Sequence, residues 1–154
     1  MSSFDAASFL DATLTDPTTK RKPIPAGLEL TGIIGEPKSR SWTGKADPTK
    51  GGIAIDVSVE IDLAGSYPEL AKEVGADKVT LQDSIMLDLT DAGTIDNSPG
   101  KNGKLRRYRD SLDMNKPGDA FSFRMMQGRQ IKVKIGHREY QGDIFDEIAS
   151  VVKA

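Results

Sequence analysis

Five apolar side chains at every second position constrain this chain more than anything else in it. Ile53, Ile55, Val57, Val59 and Ile61 alternate with Ala54, Asp56, Ser58 and Glu60. A period of two over this stretch is that of a strand with one face buried and one face wet. The same residues wound into a helix would scatter their apolar groups around the cylinder. The chain must therefore build a sheet around this segment and find other elements to cover it. With 154 residues it has the length of one domain, enough for a core that needs no covalent staples.

The rest of the chain supplies the partners. Leu28, Leu30 and Ile33-Ile34 predict a first strand of roughly ten residues starting at Leu28. A polar stretch from Glu36 to Gly52 reads as a loop before the Ile53–Ile61 strand. Tyr67 to Val74 reads as a short helix, with Pro68 in its first turn and Gly75 as its stop. Val79 to Leu89 is a third strand. Its phase would turn Asp83 inward, which predicts a bulge near Gln82-Asp83. A Gly/Asn/Pro-rich loop runs from Asp91 to Gly103. Leu105 to Met114 has helical spacing, with Leu105, Tyr108 and Leu112 on one stripe. Phe121 and Phe123 lead to a fourth strand, in which Ile131, Val133 and Ile135 alternate with Lys132, Lys134 and Gly136. A turn at Gln141-Gly142 joins it to a fifth strand, Ile144 to Val152.

This order predicts a mostly β fold, a five-stranded OB-type barrel with a helix between strands three and four. The helix at 67–74 is a short insertion. Residues 28–154 form the barrel domain, and residues 1–27 form an N-terminal arm. In the arm, Phe4, Phe9 and Leu10 fall on one side of a short helical turn. Asp16-Pro17 and Lys22-Pro23-Ile24-Pro25 then favour extended chain that drapes over the domain or stays mobile.

Composition removes several classes of chemistry. There is no cysteine, so disulfides, thiolate catalysis and Cys-based metal sites are out. His137 is the one histidine, and it cannot build a multi-His metal site. No apolar run is long enough to span a membrane, and Met1 to Leu10 does not resemble a signal peptide. The expectation is a soluble cytoplasmic protein with no membrane contact and no cofactor. Gly100-Lys-Asn-Gly103-Lys104 lacks the spacing and the Ser/Thr of a phosphate loop. Asp88-Leu-Thr-Asp91-Ala-Gly93 misses the calcium-loop pattern. Ser39 and Ser41 have no catalytic partner at a defensible spacing. No enzyme is expected, although Asp88, Asp91 and Asp96 keep a metal-dependent nuclease open as an alternative.

The net charge of −2 argues against a uniformly cationic surface, but it averages two blocks. Residues 51–100 carry two basic against ten acidic residues, a net of −8. Residues 101–140 carry eleven basic against four acidic residues, a net of +7. Such asymmetry points to an anionic partner, or else to mutual neutralisation across the fold. Two clusters favour the partner. Lys38, Arg40, Lys45 and Lys50 surround Trp42 in the polar loop, where an aromatic ring suits stacking on a base and cations suit phosphates. Lys132 and Lys134 occupy the wet face of the fourth strand, with Arg124 and Arg129 before them and His137, Arg138 and Tyr140 at the hairpin. Asp56, Ser58, Glu60 and Asp62 on strand two would repel phosphate, which steers a nucleic-acid backbone away from the middle of that strand. The arginines of the 105–114 helix face DNA or neutralise the acidic block, and the expectation for at least some of them is neutralisation.

Several segments together resemble the single-stranded DNA-binding proteins of bacteriophages with an OB fold, and their uncharacterised relatives. They are Phe9-Leu10-Asp11-Ala12-Thr13, Pro23-Ile-Pro25-Ala-Gly27, Ile85-Met-Leu-Asp-Leu-Thr-Asp91, Gly100-Lys-Asn with Leu105-Arg106, and Lys132 to Gly142 with its His137-Arg138-Glu-Tyr140-Gln-Gly142 stretch. The resemblance runs over nearly the whole chain. It implies sequence-nonspecific binding of single-stranded DNA in phage replication or recombination, inside the host cytoplasm, alongside phage replication or recombination proteins. Lys104-Leu105-Arg106-Arg107-Tyr108-Arg109 departs from the family's Leu-Gly-Arg-Leu-Arg opening, so no binding role passes to the helix arginines. The rival expectation is a protein–protein adaptor or virion component using the acidic block and the apolar leader. An exposed sheet edge would permit a homodimer.

Overall fold

The computed structural model describes residues 5–154. Phe4, expected on the apolar side of the leader's turn, lies outside the described residues. The chain forms, in order, β1 (Glu29–Ile34), β2 (Lys38–Thr43), β3 (Gly51–Asp62), α1 (Leu63–Ser66), α2 (Pro68–Val74), β4 (Lys78–Met86), α3 (Gly103–Ser111), β5 (Gln130–Tyr140) and β6 (Asp143–Val152). Single 3-10 turns occupy Ala6–Asp11 and Phe123–Met126. Among the described residues no helix is long and apolar enough to cross a membrane.

The strands form one antiparallel, six-stranded sheet organised around β3. The first half of β3 pairs with β2, and Val59 and Glu60 pair with β1. The opposite edge of β3 pairs with β4 from Ala54 to Asp62. β5 lies against the far edge of β1, and β6 against β5. The sheet does not close. β4 and β6 flank a cleft and share no ladder. Arg138 and Glu147 line that cleft, and closing it would strip water from both charges.

The apolar–polar alternation from Ile53 to Asp62 is realised on β3. Ile55, Val57, Val59 and Ile61 are buried, while Asp56, Ser58, Glu60 and Asp62 face outward or are partly covered. Leu30 and Ile34 of β1, Val79, Leu81 and Ile85 of β4, and Ile131, Val133 and Ile135 of β5 meet them in one core. Leu105, Tyr108 and Leu112 plug that core from α3 and its C-cap. Gly32 allows β1 to pack this closely: a Cβ there would sit 2.6 Å from Val59 Cγ1 and 2.7 Å from the Glu60 carbonyl.

Four expectations change. The stretch Glu36–Gly52 is not a loop throughout, because its centre is β2, so the sheet has a sixth strand. β2 is held by its ladder to β3 and not by burial: its side chains are exposed apart from a half-covered Trp42. The first strand stops at Ile34, and the third stops at Met86 and not at Leu89. No bulge occurs near Gln82-Asp83, since the register from Ser58↔Gln82 through Val57↔Asp83 to Asp56↔Ser84 is unbroken. Asp83 does turn inward, but Tyr108 Oη donates to it at 2.7 Å and Lys104 Nζ pairs with it at 2.5 Å. A carboxylate with both partners in place needs no backbone detour. Burial and the Asp83 charge hold the Tyr108 hydroxyl well above the usual phenol range, so it stays a donor. The register shift lies instead between Lys134 and Ile135, opposite β6.

The arm is tied down at its C-terminal end. Ile24 is fully buried in the core. Asp146 Oδ1 accepts from the Ile24 N–H at 2.9 Å, and Arg21 Nη1 donates to Asp146 Oδ2 at 2.5 Å. The Lys22 N–H donates to the Val74 carbonyl at 2.9 Å. Further out, the chain is exposed: Leu10 is 87% and Leu14 82% accessible.

Candidate nucleic-acid interface

Strand pairing decides which of the expected residues share a surface. Lys38 pairs with Asp56, Arg40 with Ala54 and Trp42 with Gly52. Residues opposite each other in an antiparallel ladder point to the same side, so all six share the sheet's outer face. Across β3, Ala54 pairs with Met86 and Asp56 with Ser84, which carries the face onto β4. Trp42 lies over Gly52, where an added Cβ would come within 3.1 Å of Trp42 Nε1 and 3.4 Å of two further ring atoms. The indole Nε1 is buried there without a hydrogen-bond partner. Ala54 is fully buried beneath its neighbours, and Met86 is 46% exposed. The result is an apolar shelf of Trp42, Ala54 and Met86 on an otherwise polar face.

Charge around the shelf is arranged locally. Arg40 Nε donates to Asp56 Oδ2 at 2.8 Å, so Arg40 is an ion-paired strand residue and not a free loop cation. Ser84 Oγ donates to Asp56 Oδ1 at 2.7 Å and accepts from Arg40 Nη2 at 3.4 Å. The Ser84 hydroxyl foremost, and then Arg40, hold the Asp56 carboxyl below the usual carboxylate range. Glu60 faces Lys78 at 3.7 Å, and Asp62 accepts from the Gly65 N–H at 3.0 Å as the cap of α1. The outward carboxylates of β3 are therefore engaged, which lessens the phosphate repulsion that the bare sequence suggests.

Lys45 and Lys50 flank the shelf from the β2–β3 connection. The Gly44 N–H donates to the Lys50 carbonyl at 2.8 Å, and Thr49 donates to Asp47 from both its N–H and its hydroxyl. Those two bonds keep the Asp47 carboxyl below its ordinary value. Among the described residues, Lys38, Lys45 and Lys50 have no carboxylate within ion-pair distance. Arg124 does not join this group: it lines a shallow hollow of about 270 Å³ with Ser39, Ile55 and Phe123, and the Ser39–Ile55 pair points to the opposite side of the sheet from Trp42.

The remaining expected residues lie elsewhere. Lys132 and Lys134 sit on the outer face of β5 opposite Thr31 and Glu29, separated from β3 by β1. Arg129 donates from Nη2 to the Leu112 carbonyl at 3.4 Å, which ties it to the end of α3. His137 Nε2 donates to the Ile24 carbonyl at 2.6 Å and so serves the arm. Arg138 and Tyr140 lie at the β5–β6 hairpin, whose turn has positive φ at both Gln141 and Gly142. Arg138 stacks with Phe145, its guanidinium carbon 5.9 Å from the ring centroid. Gly52, Met86 and Phe145 were not among the expected residues. The Gly51-Gly52 pair ahead of a strong strand was the available signal for the first, and nothing local marks the other two.

Asp88 and Asp96 serve the loop between β4 and α3. Asp88 Oδ2 accepts from the Asn102 N–H at 2.8 Å, and the Asn102 side chain donates to the carbonyls of Asp88 and Asp96. Among the described residues, no three His, Cys, Asp or Glu side chains gather as a metal site. No protein-family model matches the sequence, and no curated protein does.

Proposed function

We propose that the protein is a non-enzymatic, sequence-nonspecific single-stranded DNA-binding protein whose interface is the outer face of β2, β3 and β4. The observation that carries this reading is the Trp42 shelf: a half-buried indole on Gly52, beside Met86, rimmed by the unpaired cations Lys38, Lys45 and Lys50. Stacking on such a ring tolerates any base, and the lysines would take phosphates. The ladder order supports an OB-type barrel. If β1 and β2 are two halves of one bent strand broken at 35–37, α3 falls between the third and fourth strands. The open seam then falls between the third and fifth. OB folds are partly open barrels that bind oligonucleotides on the strand two–three face and the adjoining loops. The counterparts here are β3, β4, the 44–50 connection and the Gln141-Gly142 turn. In the phage setting that the sequence resembles, the protein would act in replication or recombination in the host cytoplasm.

Anisotropy of a labelled oligothymidine tests the reading. Wild type binds at low salt, and Trp42→Ala loses roughly tenfold or more in affinity while keeping its circular dichroism. Equal affinity for the two proteins overturns it.

The exposed Leu10 and Leu14 favour a second, compatible role, a partner-docking leader. The clean test deletes residues 1–19 and spares Ile24, because the buried Ile24 belongs to the core. Loss of co-purifying replication proteins with unchanged DNA affinity supports the docking role.

A further inference from the structure

We propose that the cleft between β4 and β6 is a second base-stacking subsite for the same single strand, with Phe145 as its platform and Arg138 as its phosphate contact. This rests on the single-stranded DNA reading of the Trp42 face and extends it past β4 to Phe145, which was not among the expected residues, beside the expected cation Arg138.

The cleft holds about 490 Å³, within the size range of small-ligand sites. One wall is β4 from Thr80 to Ser84, and the other is β6 from Phe145 to Ile148. Phe145 is 42% exposed, and its strand partner Arg138 lies over its ring. Arg138 has no carboxylate within ion-pair distance among the described residues, so its charge is unspent. The other cation at the cleft, Arg21, is bound to Asp146.

The acids there are mostly committed. Asp146 holds Arg21 and the Ile24 N–H, with its side chain 1% exposed. Asp83 holds Tyr108 and Lys104. Glu147 remains, lying across Gly136, with its Oε1 3.5 Å from where a Cβ would be. An unpaired carboxylate on that side keeps phosphates off the floor of the cleft. It therefore favours a backbone that follows the Arg138 rim while a base turns in toward Phe145.

The two subsites are continuous. Ser84 forms part of the cleft wall and also bonds Asp56 and Arg40 beside the Trp42 shelf. β2 and β4 are two strand spacings apart, about 10 Å. A strand crossing the outer face from Trp42 over β3 and β4 thus arrives at Phe145.

A length series of labelled oligothymidines, read by anisotropy and by Trp42 fluorescence, tests this on wild type, Phe145→Leu and Phe145→Tyr. Leu keeps the apolar bulk and removes the stacking ring. The expected result is a roughly tenfold weaker binding of long oligomers by Phe145→Leu. Short oligomers that already quench Trp42 should bind as to wild type, and Phe145→Tyr should restore the long-oligomer affinity. Wild-type affinity of Phe145→Leu at every length, with Trp42 still quenched, overturns the subsite and leaves the Trp42 interface standing. An equal loss at every length also overturns it, since a distant second subsite cannot weaken binding of a strand too short to reach it. No quenching of wild type by any oligomer overturns the subsite together with the DNA reading.

Discussion

Trp42 lies where it does because residue 52 has no side chain. A Cβ at that position would come within 3.1 Å of the indole nitrogen. Gly52→Val should therefore push the ring off the sheet, shift its emission to the red and weaken oligonucleotide binding by roughly tenfold, with far-UV circular dichroism unchanged. Asp56 shows the electrostatics at the same scale. Its carboxyl is lowered by the Ser84 hydroxyl and then by Arg40. A folded value below the unfolded one contributes stability that is complete above about pH 4, the ordinary aspartate range. That stability is lost as the pH falls through the lowered value. Asp56→Asn should flatten the acid limb of a denaturation series taken from pH 5 downward. In the core, Tyr108→Phe leaves Asp83 with Lys104 and the Ser84 N–H. The cost should be about 1–2 kcal/mol, read as a fall in Tm with DNA binding unchanged.

Elements differ in how they are made, and that decided how well the sequence reports them. β3 buries one face, so its alternation is visible residue by residue. The Leu105, Tyr108 and Leu112 stripe of α3 is visible for the same reason. β2 buries almost nothing. Lys38-Ser-Arg-Ser-Trp-Thr43 looks like a loop because its strand character comes from backbone bonds to β3, and a sequence pattern of burial cannot carry that. The inward Asp83 was legible as a conflict but not in its resolution. Its partners Lys104 and Tyr108 are 21 and 25 residues away in the chain. The arm behaves as an element only from Lys20 onward. Asp146→Ala removes the acceptor of both Arg21 and the Ile24 N–H. The loss should be about 2–3 kcal/mol, and trypsin should then cut after Lys20 and Arg21 in a protein whose Trp42 emission is unchanged.

At the scale of the molecule, the charge balance is a matter of placement. The outward acids of β3 are spent on Arg40, Lys78 and the α1 cap. The unpaired lysines stand at the rim of the Trp42 shelf, while Lys132 and Lys134 lie two ladders beyond β3, on β5 past β1. Which expected cations would share a surface was not legible, because it depends on the order of ladders and on the sixth strand. A small group of phosphate contacts implies binding that salt weakens, at about −0.7 in log–log slope per contact on a single strand. Trp42 is the one tryptophan in the chain, so its fluorescence reads the shelf directly. Titrating the intact protein with an oligothymidine at two salt concentrations is the most direct measurement. The interface described above predicts saturable quenching or shift of Trp42 emission at low salt, with an affinity that falls as salt rises. Trp42 emission indifferent to the oligonucleotide even at low salt would contradict it.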